Sequence, residues 1–275
     1  MLLGRKKSTK STKALIFLVN LHLGINYCKT IACVKTHPPR RTEKGRALGN
    51  SRGLRCRNKQ LNDRIMKQYE NYIFDLDGTL LDTLGDLHAA VNHALVSQGL
   101  EPRTREEIRR MVGNGVTTLV ERAMGEAGLD FNALFASFSA YYAQHSMDTT
   151  APYAGVMDML RRLRERGCRI AVVSNKVHSA TVPLCRHFFG DLIDVAMGEN
   201  EAAGIRRKPA PDMVFAAMRE MGVTEAVYVG DSDVDIDTAR AAGLPCISVL
   251  WGFRERELLE AHGASCFAQT PDDIV

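Results

Sequence analysis

The chain has 275 residues and 45% hydrophobic composition, enough for one substantial core with a small accessory domain. Its formal charge of +4 averages two unlike parts: residues 1–65 hold 16 Lys/Arg against 2 Asp/Glu, and the rest hold 20 against 30. An acidic folded part argues against nucleic-acid binding, and seven cysteines with no CxxC pair argue against a zinc centre and do not speak for export.

In chain order, Arg5-Lys6-Lys7 and Lys10 precede an apolar run from Ala14 to Ile25 that is broken by Asn20 and His22. That run is too short for a membrane-spanning helix, so no membrane partner is expected, although its basic start superficially resembles a signal peptide. A basic stretch with Pro38-Pro39-Arg40-Arg41 and no periodicity follows. Residues 1–65 are thus a targeting segment, a disordered basic tail or sequence upstream of the true start.

The first strong pattern is Tyr72-Ile73-Phe74 followed by Asp75-Leu76-Asp77-Gly78-Thr79. The apolar run predicts a buried strand that Gly78 breaks. At a period of two, Asp75 and Asp77 leave it on the same face. Two like charges so close are unfavourable unless a cation or a shared proton relieves them, so the pair is either a metal site or an acid/base pair.

Helical patterns come next: Asp86 to Gln98 with Gly99 at its end, Glu106 to Val112, Val116 to Ala127 closed by Gly128, and Phe131 to Ser146. Phe135, Phe138, Tyr141 and Tyr142 sit at helical spacing and are expected to pack this helical block. Gly113-Asn114-Gly115 is either a plain turn between helices or a loop whose backbone amides approach a small ligand. A helix from Val156 to Leu163 is stopped by Gly167.

Two further apolar strands end in polar residues. Arg169 to Val173 runs into Ser174-Asn175-Lys176, and Ala226 to Val229 runs into Gly230-Asp231-Ser232-Asp233-Val234-Asp235. Between them, Lys208 precedes a helix from Pro211 to Met221; a last helix spans Asp233 to Ala242, before Gly243. Continuous apolar strands alternating with helices predict an α/β fold with a doubly wound parallel sheet. Ligands of such sheets sit outside the carboxyl ends of the strands, so the strand endings should converge on one crevice. Asp233 and Asp237 are expected to be helix N-terminal acids that suit the helix dipole.

In order and spacing, Asp75-Leu76-Asp77-Gly78-Thr79, Ser174-Asn175, Lys208 and Gly230-Asp231-Ser232 with Asp235 resemble the four motifs of the haloacid dehalogenase-like hydrolases. Leu80-Leu81-Asp82-Thr83, Val112-Gly113-Asn114-Gly115 and Trp251-Gly252-Phe253-Arg254 are similar to the phosphoglycolate phosphatase-like branch. The resemblance implies a Rossmann-like catalytic core from residues 66–83 and 150–275, with a helical cap at 84–149. It also implies a magnesium-dependent phosphatase of small phosphorylated metabolites that works through an aspartyl-phosphate and is expected in the cytoplasm.

By the same resemblance Asp75 is the nucleophile and Asp77 the acid/base, with Ser174 and Lys208 completing the catalytic set. Thr79, Asn175, Gly113 and Asn114 face the substrate. Asp75, Asp77 through its main-chain carbonyl, and Asp231 hold Mg2+, with Asp235 beside them. Dehalogenases of the family release halide, which needs no proton, and lack an acid where Asp77 stands. A sugar-phosphate phosphomutase and a non-catalytic binding module are the alternatives. Because Met66 directly precedes the first strand, residues 1–65 are expected to lie upstream of the true start, and a chain from Met66 to fold and act alone. Oligomeric state is left open.

Overall fold

The computed structural model describes residues 69–275 apart from Ala127 and Leu129, so the expectations for residues 1–65 lie outside the described residues. Six strands form one parallel sheet: β1 (Asn71–Phe74), β4 (Arg169–Val177), β5 (Val195–Glu199), β6 (Val227–Gly230), β7 (Cys246–Val249) and β8 (Phe267–Ala268), in the order β5-β4-β1-β6-β7-β8. Tyr72 pairs with both Ile170 and Val227, so β1 sits between β4 and β6. The chain goes from β1 out to β4 and β5, then returns to the other side of β1. That reversal puts the ends of β4, β1 and β6 side by side at a topological switch point.

Side chains of β1 alternate between two apolar layers. Tyr72 and Phe74 join the helices α5 (Val156–Glu165) and α6 (His178–Phe189), while Ile73 joins α7 (Asp212–Met221) and α8 (Asp233–Ala242). All three are fully buried, as expected for a strand covered on both faces.

Four helices lie between the short strands β2 (Leu81–Asp82) and β3 (Ala151–Pro152): α1 (Leu84–Ser97), α2 (Arg105–Met111), α3 (Val116–Met124) and α4 (Phe131–His145). They share their own apolar cluster, in which Leu87, Val91, Leu95, Leu119, Leu134 and Phe138 are buried. The boundaries differ from the sequence reading: α1 begins at Leu84 rather than at Asp86. Val112 is extended at the end of α2, and α3 stops at Gly125 (φ +62°) rather than at Gly128. No helix among the described residues is long and apolar enough to cross a membrane.

Where the chain enters and leaves the helical block, β2 and β3 pair antiparallel, Leu81 opposite Pro152. Beside them the buried Asp86 accepts from the N–H and hydroxyl of Thr149 and from the N–H (3.0 Å) and hydroxyl (2.7 Å) of Thr150. Asp86→Ala strands these donors, and we expect a destabilisation of about 3 kcal/mol. A thermal melt should show it, with a fall of roughly 6–12 °C.

Candidate active site

Asp75 follows the last residue of β1, and its N–H donates to Val229 O at 2.9 Å, which fixes it against the end of β6. Oδ1 accepts from the Leu76 N–H (2.7 Å) and pairs with Lys208 Nζ (2.8 Å). Gly78 then turns with φ +88°, and a Cβ there would stand 2.5 Å from Asp231 Oδ2. Only glycine permits both that backbone and that approach.

Asp231 is oriented by the Phe253 N–H, which donates to Oδ2 (2.7 Å), and by the Thr79 hydroxyl, which donates to Oδ1 (3.2 Å). Asp235 is fully buried. Its Oδ1 accepts from Lys208 Nζ (2.8 Å) and Tyr228 Oη (3.1 Å), and its Oδ2 from the Ser232 N–H (3.0 Å) and Oγ (2.6 Å).

Oxygens of Asp75, Asp231 and Asp235 lie within 4.8 Å of one another. Burial first, and then the Asp235 charge, raise the carboxyl groups of both Asp75 and Asp231 above their ordinary values, Asp231 to about 7. Burial opposes the Lys208 ammonium, yet Asp235 and Asp75 outweigh it and hold it well above the lysine range. Two of the three buried carboxylates, Asp75 and Asp235, therefore share one ammonium, and Asp231 has no ion pair of its own among the described residues. The oxygen-only donor set and the uncompensated negative charge fit a hard divalent cation.

A cavity of about 30 Å³ reaches Asp75 and Lys208 of this group, while Asp231 and Asp235 stay off its wall. Asp75, Asp77, Ser174, Asn175, Lys176 and Lys208 line it from the sheet side, and Leu87, Val112, Gly113, Gly115, Val116 and Leu119 from the helical block. It has room for roughly one or two waters, so an ester enters only if the two sides part.

The structure brings Asp75, Asp77, Ser174, Asn175, Lys208 and Gly113 around the cavity, with Asp231 and Asp235 beside Asp75, and it places the remaining side chains as follows. Thr79 does not line the cavity: it is fully buried and its hydroxyl serves Asp231. Asn114 also stays off the cavity wall, and its carbonyl accepts from Arg207 Nη1 at 3.3 Å. The Asn175 side chain is committed to the protein: Nδ2 donates to Gly113 O (3.1 Å) and Lys208 O (3.2 Å), and Oδ1 accepts from the Lys208 N–H (2.7 Å). It ties the cap loop and Lys208 to the end of β4 rather than reaching for a ligand. Both Asp235 oxygens are likewise taken by protein donors, which makes it the anchor of Lys208 more than a metal ligand. Asp233 pairs with Arg254 at 3.3 Å.

Sequence reasoning gives no role to Lys176, whose Nζ meets Asp77, or to the clamp formed by residues 251–254. Trp251 Nε1 donates to Thr79 O (2.9 Å), Gly252 has no room for a side chain beside Asp231, and the Phe253 ring joins the cap cluster. Arg254 reaches Arg109 O (3.1 Å) and Val112 O. The Trp-Gly-Phe-Arg string is itself the available signal, because two aromatics and an arginine close after a strand need partners.

The sequence profile described as haloacid dehalogenase-like hydrolase matches residues 72–249. A phosphoglycolate phosphatase of Rhodobacter capsulatus is 35% identical over 192 residues, 68% of this chain and 86% of that protein. Another, of Cereibacter sphaeroides (strain ATCC 17025 / ATH 2.4.3), is 37% identical over 70% of this chain and 90% of its own length. A crystal structure from Lactobacillus delbrueckii subsp. bulgaricus, provisionally named a phosphoglycolate phosphatase, superposes with a TM-score of 0.71 at 38% identity, covering 75% of this chain and 96% of that one. On the strength of this match over most of the folded part, the chain belongs to the haloacid dehalogenase-like hydrolases and is a phosphoric monoester hydrolase.

Proposed function

We propose that the protein is a magnesium-dependent phosphatase of small phosphate monoesters, with 2-phosphoglycolate as the leading substrate. The observation that carries this reading is that Asp75, a member of an under-compensated carboxylate cluster, and a second carboxylate, Asp77, line the same small cavity. The substrate class rests on the relatives named phosphoglycolate phosphatase.

An Asp75 carboxylate oxygen attacks phosphorus while the bond to the leaving oxygen breaks, giving an aspartyl-phosphate and splitting one hard displacement into two. Asp77 gives its proton to the departing alkoxide. It then takes a proton from the water that attacks phosphorus, which releases inorganic phosphate and restores Asp75. Ser174, buried in the last half of β4, would hydrogen-bond a phosphoryl oxygen, and Lys208 balances the charge of Asp75 and of the phosphoryl group. Mg2+ would be held by Asp75, Asp231 and the Asp77 carbonyl, and would neutralise phosphoryl charge when bound.

A panel of phosphate esters assayed for phosphate release with Mg2+ tests the reading; no release from any of them would reject it. EDTA should stop turnover and Mg2+ restore it, whereas Ca2+, with its looser and larger ligand shell, should support it poorly. Full activity in Ca2+ would contradict the assignment.

The raised Asp231 also predicts a pH signature. A carboxyl raised in the folded state stabilises below its unfolded pKa, and that stability is lost as pH rises from about 4 towards about 7. Mg2+ relieves the penalty. The rise in thermal midpoint on adding Mg2+ should therefore be larger at pH 8 than at pH 5, and an equal rise would count against the cluster as the metal site.

Asp77→Asn should cost most on esters with poor leaving groups. A loss of about 100-fold or more is expected on an alkyl phosphate and a much smaller one on p-nitrophenyl phosphate. Equal losses would remove Asp77 from the acid role.

The phosphomutase alternative needs a cap cation for a second phosphate. Arg109 pairs with Glu106 and Glu255, and Arg110 pairs with Glu106, so neither lines the cavity.

A further inference from the structure

Lys176 is buried, with 2% of its side chain exposed, and lines the cavity. Its Nζ lies 3.1 and 3.2 Å from the two oxygens of Asp77. Among the described residues these are the hydrogen bonds that reach the Asp77 carboxylate. The same ammonium donates to Tyr142 Oη at 2.9 Å and stands 5.1 Å from the centre of its ring. Tyr142 belongs to α4 in the cap, where it stacks on Phe138 with centroids 5.4 Å apart. Lys176 belongs to β4 in the sheet, and Asp77 to the turn after β1.

A chain of contacts thus runs from cap helix to lysine to carboxylate, across the gap that must open for an ester to enter. An ammonium buried this deeply is costly unless paired on both sides. A cap that only needed to close could have placed an apolar pair there. With its other end in a glycine turn, the Asp77 side chain takes its direction from the ammonium it touches.

We propose that Lys176 is a positioning residue: held by Tyr142 of the cap, it aims Asp77 at the leaving oxygen, so proton transfer becomes competent only when α4 is seated on the sheet. The proposal rests on the reading of Asp77 as the acid. Open-cap complexes would then have a misaimed acid, which guards against unproductive proton transfer while the site is wet.

Tyr142→Phe keeps the ring packing and removes only the hydroxyl, so it is the deciding variant. Its kcat on an alkyl phosphate should fall about tenfold more than its kcat on p-nitrophenyl phosphate, whose leaving group needs little proton help. Lys176→Met should widen that ratio to about 100-fold, Lys176→Arg should recover part of it, and adding Tyr142→Phe to Lys176→Met should change it no further. Equal losses on both esters in Tyr142→Phe, or independent losses in the double variant, would overturn the proposal even if Lys176→Met failed to fold. Asp77→Asn measured on the same two esters separates the two levels. If it too loses both activities equally, the acid reading falls and takes the proposal with it. If it alone discriminates between the esters, only the positioning role falls.

Discussion

Asp75→Asn should abolish phosphate release, with kcat down at least about 1,000-fold, a barrier rise of about 4 kcal/mol. An amide is a poor nucleophile and cannot form the acyl phosphate on which the two-step route depends. The fold should not suffer. Burial and the neighbouring Asp235 and Asp231 already disfavour the Asp75 charge, so an uncharged isostere relieves repulsion that Lys208 only partly offsets. The thermal midpoint without metal should stay level or rise, while the shift produced by Mg2+ shrinks. A purified variant that keeps a tenth of wild-type activity would sink the nucleophile assignment.

Asp235→Ala should do the reverse, striking the fold first. Its two oxygens hold Lys208, Tyr228 and both donors of Ser232, and the side chain is wholly buried. Truncation leaves an ammonium shared with Asp75 alone, opens a void and removes the reciprocal half of the capping box of α8. We expect a loss of about 4 kcal/mol, seen as a midpoint lower by roughly 8–16 °C. Activity should fall as well, because Lys208 loses its anchor, and excess Mg2+ should not rescue it. Rescue by Mg2+ would mean that Asp235 is a metal ligand after all.

The endings of β1 and β6 are legible in the sequence because local patterns encode them, whereas β4 runs past its expected end at Val173 to Val177. A short apolar run that breaks at glycine announces where a buried strand stops. Parallel strands must end together, so residue order alone gathers Asp75, Ser174 and Asp231 into one crevice. The direction of a small side chain is not encoded this way. Thr79 sits in the right turn, yet its hydroxyl donates to Asp231, a partner 152 residues away. Asn175 stands at the expected strand end, but its amide is spent on two carbonyls distant in sequence. Lys176 is silent for the same reason, since its partner Tyr142 stands 34 residues away on a separate helix. The early end of α3 follows from a choice between two glycines, Gly125 and Gly128, both with positive φ, which periodicity alone does not rank.

The Asp86 clamp bears on how such a protein diversifies. One carboxylate binds the segment by which the chain returns from the cap to the start of the helix by which it enters. Both crossings are thus gathered into a single joint outside the sheet. Helices beyond that joint can be lengthened, repacked or replaced without shifting the carboxylates at the strand ends. Selection can retune substrate choice on the cap so long as the contacts that join it to the chemistry, Tyr142 to Lys176 and Gly113 to Asn175, are kept.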